Sequence, residues 1–403
     1  MKLKKTIFYI ILLAVLGSCS SLKTIKIIKQ GKLTSSDFLV ELPFEIRSGL
    51  MVIPIKINGV DKYFAIDTGA PNVITKELAT ELGVKSTVTQ KTGDSGGQSE
   101  ELSFVSINKI EVGNVVFSGF GAAIADFKAS PNLVCLEIDG LIGANLMQKA
   151  FWKIDYQKKR IWLTDNIEKI LSENITDTIP FYTSITGSPT CEVKFDGFSD
   201  KNVTIDLGSN GHIDLTYNKT KQFQSLRPED VRYKVGFRSS GLFGKTETDT
   251  SYYFKTSTLK LGSLTYEQVV VELGDKENYE SKIGMGYFEN YTIILDWEGK
   301  KVYLSEKTPY QLSNLDTYGF GYQYSNGKLL VNSILLSQDG APLSPLQVED
   351  QILEINSVEF TNINQSRWCD IVKNGLGLEG QYTIKIIQAG ETLTYEIDQQ
   401  NLY

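Results

Sequence analysis

The chain has 403 residues, enough for two or three compact domains. Its 41% hydrophobic and 22% charged residues suit a globular protein with real cores, and its formal net charge of −7 comes without basic runs. That balance argues against nucleic acid as a partner, because such affinity depends on Lys and Arg neutralising phosphates.

The chain opens with Lys2, Lys4 and Lys5 and an apolar run over residues 6–16, too short to span a bilayer and shaped like an export signal. It ends in Leu16-Gly17-Ser18-Cys19, which resembles the bacterial lipobox. The resemblance implies cleavage before Cys19, acylation of that cysteine, and a lipid-anchored protein of the bacterial cell envelope, its face (periplasmic or outer-membrane) left open. Residues 1–19 are then a signal peptide and 20–41 a tether with a first strand. Cys135, Cys191 and Cys369 fall one in each of three domains, at 42–166, 178–307 and 318–398, which excludes a bridge within any domain. They read as small buried apolar residues.

One long repeat sets the first two of these domains. Leu42-Pro43-Phe44 returns as Ile179-Pro180-Phe181, and Asp67-Thr68-Gly69 after an apolar run returns as Asp206-Leu207-Gly208. Ile142-Gly143, Ile154-Asp155-Tyr156 and Ile161-Trp162-Leu163 return in order as Ile283-Gly284, Leu295-Asp296-Trp297 and Val302-Tyr303-Leu304. Each copy reads as all-β: short β-branched or aromatic strands such as 52–57, 63–66, 109–112 and 160–163, bounded by Gly, Asn and Asp turns. A helix is predicted over 75–82, ended by Gly83, and a helical turn over 167–172. The copies occupy 42–166 and 178–307, joined by a linker at 167–177.

Tyr63-Phe64-Ala65-Ile66 leading into Asp67-Thr68-Gly69 resembles the retropepsin and pepsin families, and so does the apolar pair before Gly143. The resemblance implies a mainly β fold of two acid-protease-like barrels, with a second loop at Asp206 supported by Gly208 and braced by Gly284. It implies an aspartic endopeptidase in which Asp67 and Asp206 share one proton and activate a water against a peptide carbonyl. Thr68, Gly69, Gly143 and Ser209 would support the dyad, Ser209 by bonding its aspartate. No metal or cofactor is required. Because one chain carries both aspartates, the catalytic unit is expected to be a monomer. Two departures stand out in the second copy: Leu207 replaces the usual Thr or Ser, and Lys282 replaces an apolar brace residue. The substrate-covering flap is expected at Gly96 and Gly97, with a counterpart at Ser239-Ser240-Gly241-Leu242-Phe243-Gly244 that also reads as a plain surface turn. His212, the single histidine, reads as a strand residue rather than a base, and zinc-hydrolase spacings need more histidines or paired cysteines.

Residues 318–398 lie outside the repeat. Tyr318-Gly319-Phe320-Gly321-Tyr322, followed by Asp350-Gln351-Ile352-Leu353-Glu354-Ile355-Asn356, resembles a bacterial PDZ domain, with Glu349 and Ser357 where that pattern has Gly. The resemblance implies that Gly319, Phe320, Gly321 and Tyr322 receive the terminal carboxylate of a peptide ligand added as a strand; a ligand-free β domain is the plainer reading. Two functions remain in play. One is an endopeptidase acting on exported polypeptides; the other is a degenerate cleft plus PDZ domain serving as an envelope peptide-binding scaffold, to which Leu207 and Lys282 point.

Overall fold

The computed structural model describes residues 21–171, 174–216, 231–237, 240–245, 249–274, 280–306, 308, 310–311, 315–376 and 380–403. The leader with Cys19, residues 172–173 of the linker and Ser239 lie outside the described residues. Among the described residues no helix is long and apolar enough to cross a membrane.

The molecule is mainly β. In the first half, Leu50–Ile57 and Val60–Asp67 form an antiparallel hairpin whose inward residues are fully buried. Gly140–Gly143 runs parallel to the second of these strands, with Gly143 opposite Asp67, and antiparallel to Val73–Thr75. Val73–Thr75 in turn lies parallel to Val115–Ala125. The second half repeats this crossing. Lys282–Ile283 runs parallel to Phe198–Ile205 and antiparallel to Ile213–Thr216, which lies parallel to Val270–Gly274. In both halves a strand delivers an aspartate to a loop, and a short strand crosses beneath it.

The helix predicted over 75–82 is present as Lys76–Glu81. The Thr75 hydroxyl accepts from Leu78 N at 3.1 Å, satisfying one of the orphan amides at its start, and Gly83 at φ +59° ends it. The turn near 167 is a 3₁₀ turn, Ile167–Lys169, capped by Asn166.

A six-stranded sheet joins the halves in the order Asp177–Pro180, Lys301–Glu306, Tyr291–Asp296, Phe151–Asp155, Arg160–Thr164, Leu39–Pro43. The order is symmetric about the central pair, where Ile154 faces Ile293 and Trp152 faces Leu295. Repeated segments therefore occupy equivalent places, Leu42 opposite Ile161 and Ile179 opposite Val302. All of these residues sit in one core cluster continuous through both halves. Each large apolar side chain so buried contributes about 1.5–3 kcal/mol, so the halves stabilise one another.

The C-terminal unit has its own core, centred on Leu329, Val331, Ile352, Ile384 and Ile386. Its sheet contains Phe320–Ser325, Lys328–Leu336, Gln351–Ile355, Tyr382–Gln388 and Glu391–Ile397, with one helix, Gln365–Asn374. Glu349 (φ +76°) and Ser357 (φ +66°) adopt the left-handed backbone that glycine favours. The unit touches both halves, by different means. Tyr233–Gly236 of the second half extends its sheet, pairing with Ser333–Leu336. The first half is bound covalently, by a disulfide between Cys135 and Cys369 with Cα atoms 5.0 Å apart. The reading of these two cysteines as simple buried apolar residues is thereby corrected. Residues 131–134 dock on the helix Gln365–Asn374, where Gln365 Nε2 donates to Pro131 O (2.8 Å) and Trp368 Nε1 to Asn132 Oδ1 (3.0 Å). That packing brings together cysteines of different domains. Cys191 is free and buried, as expected.

Candidate active site

Both aspartates stand at strand ends, and their loops face each other. A methyl group placed on Gly69 would lie 2.9 Å from Asp206 Oδ1, and one on Gly208 would lie 2.7 Å from Asp67 Oδ1. Each carboxylate thus sits against the glycine of the opposite loop. Within its own loop, Asp67 Oδ1 accepts from the amides of Gly69 (2.9 Å) and Ala70 (3.0 Å), while Asp206 Oδ1 accepts from Gly208 (2.9 Å).

Thr68 ties the loops together. Its hydroxyl donates to Ile205 O at 2.6 Å and accepts from Leu207 N at 2.9 Å, all in a buried setting. Leu207, which cannot return such a bond, is wholly buried and joins the central core instead. Ser209 departs from expectation. Its hydroxyl accepts from Gly211 N at 3.4 Å rather than bonding the Asp206 carboxylate, in a tight turn that Ser209 N closes on Asp206 O at 3.2 Å.

The braces lie beneath. Gly143 and Gly284 press so closely under their loops that a Cβ on either would collide with backbone, at Pro71–Asn72 and at Gly211 respectively. Their tethers differ. Gly143 N donates to the Asn72 side chain at 2.8 Å, and Asn145 Oδ1 accepts from Asn72 N at 2.8 Å. Gly284 N donates to the main-chain oxygen of His212 at 2.8 Å. The His212 ring packs beside Gly286, which has no side chain in its way, and its Nδ1 is buried without a hydrogen-bond partner.

Electrostatics follow from this closeness. Burial, then the charge of Asp206, pushes the Asp67 carboxyl up to about 7; the amides of Gly69 and Ala70 and the Lys282 charge pull the other way. Glu280 is also raised, by burial and by Asp206, with Lys282 offsetting. Lys282, the apparent flaw in the second brace, is therefore a cation felt by the carboxylates. Asn72, Asn145 and Glu280 were not singled out by sequence reasoning; only Asn72, five residues after the aspartate, carried even a weak positional signal.

Gly96 and Gly97 lie at the turn of the hairpin between Val88–Gly93 and Ser99–Val112. The second tip is not a plain surface turn. Ser240–Gly241 pairs with Gly244–Lys245, and this hairpin rests on the first tip through Asp94, whose distant partner a lone carboxylate in a Gly-rich turn gives no sign of.

In the C-terminal unit, Gly319 N is taken by the Thr317 hydroxyl (3.0 Å), and Phe320, Gly321 and Tyr322 pair with Ile334, Ser333 and Val331. Among the described residues no strand pairs with the other edge of Phe320–Ser325. Tyr322 and Tyr324 pack on Trp368 of the helix.

Residues 53–146 match a family model described as "Aspartyl protease". Among curated proteins none matches the chain. Among solved structures, the chain is similar to the basic 7S globulin from soybean, at 14% identity and TM-score 0.37, covering 66% of this chain and 94% of that one. It is also similar to a retropepsin-like aspartic protease from Rickettsia conorii, at 22% identity and TM-score 0.23, covering 33% of this chain and 92% of that one.

Proposed function

We propose that the chain is an aspartic endopeptidase whose two halves each supply one member of a catalytic pair, Asp67 and Asp206. The observation that carries this is the reciprocal placement of each carboxylate against the other loop's glycine. Two carboxylates placed this close share one proton and titrate as a coupled pair, in keeping with the rise that burial and the Asp206 charge cause at Asp67. The ionised member takes a proton from water, which attacks the peptide carbonyl. The protonated member donates to the carbonyl oxygen and then assists departure of the amine.

An envelope location through acylated Cys19, and therefore exported polypeptides as substrates, remains part of the proposal on the strength of the lipobox-like sequence. The open edge of Phe320–Ser325 gives the C-terminal unit a place to add a peptide strand, which supports the PDZ-like reading. The scaffold alternative draws on Leu207. Against it, Thr68 alone keeps two hydrogen bonds across the loops, so loss of the second hydroxyl leaves them joined.

The test is cleavage of an unfolded protein by the chain without residues 1–19, from about pH 4 to pH 8, beside Asp67→Asn and Asp206→Asn. The expected result is activity that falls as pH rises through about 7 and is lost in both variants. A folded parent inert at every pH supports the scaffold reading instead.

A further inference from the structure

The sheet of the first half carries an apolar row that stops one step short of the aspartate. Val52, Ala65, Leu141, Val73 and Ala123 are successive cross-strand partners, and Phe104 lies opposite Ala123. Ala65 precedes Asp67 by two positions on one strand, so the two side chains emerge on the same face. Phe64 and Ile66, on the other face, belong to the central core. The row belongs to a separate cluster that also holds Ile27, Ile28, Leu102 and Phe127, and Leu242 and Phe243, from the opposite half of the molecule, are among the partly buried residues packed against that cluster.

Asp94 holds those two residues there. Its Oδ1 accepts from Gly96 N (3.0 Å) and Gln98 N (2.9 Å) of its own tip, and its Oδ2 accepts from Phe243 N at 2.8 Å. Gly241 lies so near this carboxylate that a Cβ would collide with it. The contact is made by a charged acceptor on main-chain amides, the stronger class of hydrogen bond.

We propose that Leu242 and Phe243 are an internal occupant of the apolar subsite beside the dyad, latched by Asp94, and that an apolar side chain of the incoming polypeptide must displace them. Naming the row a substrate subsite rests on the peptidase reading; occupancy by the chain's own tip does not. A competing internal segment lowers apparent affinity by the fraction of molecules in which the tip is withdrawn.

The test is direct binding in an Asp67→Asn background, where turnover is absent. A fluorescein-labelled hexapeptide with Leu-Phe at its centre is titrated by polarisation, beside the same peptide with Ser-Ser. Leu242→Ser/Phe243→Ser removes the tip's apolar side chains from the cluster, and Gly241→Ala disturbs the contact of the tip with Asp94. The expected result is tightening of about tenfold for the Leu-Phe peptide in both variants and no change for the control. Thermal melts verify that each variant is folded, and the double serine variant decides the matter if Gly241→Ala is not. Unchanged or weaker binding of the Leu-Phe peptide overturns the proposal, even if the parent cleaves protein. Tightening, when the parent and the Leu242→Ser/Phe243→Ser variant with Asp67 intact both cleave nothing, sustains the internal occupant and removes the peptidase reading.

Discussion

The two aspartate loops share one strand crossing and differ in almost every bond beneath it. The first has Thr68 reaching across, an Asn72–Asn145 side-chain pair under the loop, and two amides on its carboxylate. The second has Leu207 sunk into the core, a main-chain tether at His212, and one amide on its carboxylate. The first loop is held by polar side chains, which fix angles; the second is held by apolar burial and backbone. A pair built this way needs only one side to supply the directional bonds, provided the other is packed firmly enough to receive them.

The largest expected effect treats the loops as equals. Asp67→Asn and Asp206→Asn should each lower kcat/KM by about 10³-fold or more, and the double variant little further, because groups acting as one unit are non-additive. A variant at Asp206 with near-parental cleavage would break the comparison at its root. Steady-state kinetics on an unfolded substrate decide it.

The halves also differ in how they hold the C-terminal unit, the first by Cys135–Cys369 and the second by strand pairing at Tyr233–Gly236. Cys369→Ser should therefore cost about 2–4 kcal/mol in denaturant unfolding, since the bridge closes a long loop. Cys135→Ser should cost the same and the pair no more than either alone. Additive losses would show that the cysteines contribute separately.

Next comes the loop bond itself. Thr68→Val keeps the shape but strands Ile205 O and Leu207 N in a buried place, at about 1–3 kcal/mol. Leu207→Thr is the mirror change. It restores the expected hydroxyl yet removes apolar volume from a full core, so it should cost about 1–2 kcal/mol without raising kcat. A gain in stability for Leu207→Thr would mean that the second loop is a weakened copy of the first rather than a different solution.

The parts legible in the sequence are those set by neighbours along the chain. The loop at Asp67, its brace at Gly143 and the helix at 75–82 each follow from a strand pattern, a glycine or a cap within a few residues. The second loop is legible as a repeat, but the direction of Ser209 is not, because it depends on how residues 209–211 fold back. Contacts between distant segments leave no local trace. The disulfide joins positions 234 residues apart, and Asp94 meets Phe243 across 149. In neither case does composition near one partner name the other. Lys282 is visible in the sequence only as a mismatch; its effect as a cation on the Asp67 carboxyl needs the folded geometry.

The smallest expected effect separates the loops by pH. Burial and the Asp206 charge raise the Asp67 carboxyl from its ordinary 3.8 to about 7. The folded protein therefore holds a proton there that the unfolded chain releases above about pH 4. Stability from this source is fully present below pH 3.8 and is lost as pH climbs through 7, where the folded state must also ionise. Asp67→Asn removes the penalty. The variant should match the parent near pH 4 and exceed it at pH 8, by on the order of 1–2 kcal/mol once partial exposure and sharing of the proton are discounted. Thermal melts at both pH values measure the difference. A variant less stable than the parent at pH 8 would mean that the Gly69 and Ala70 amides depend on the charged carboxylate more than the pair suffers from its repulsion, and the first loop would then be built around an ionised Asp67.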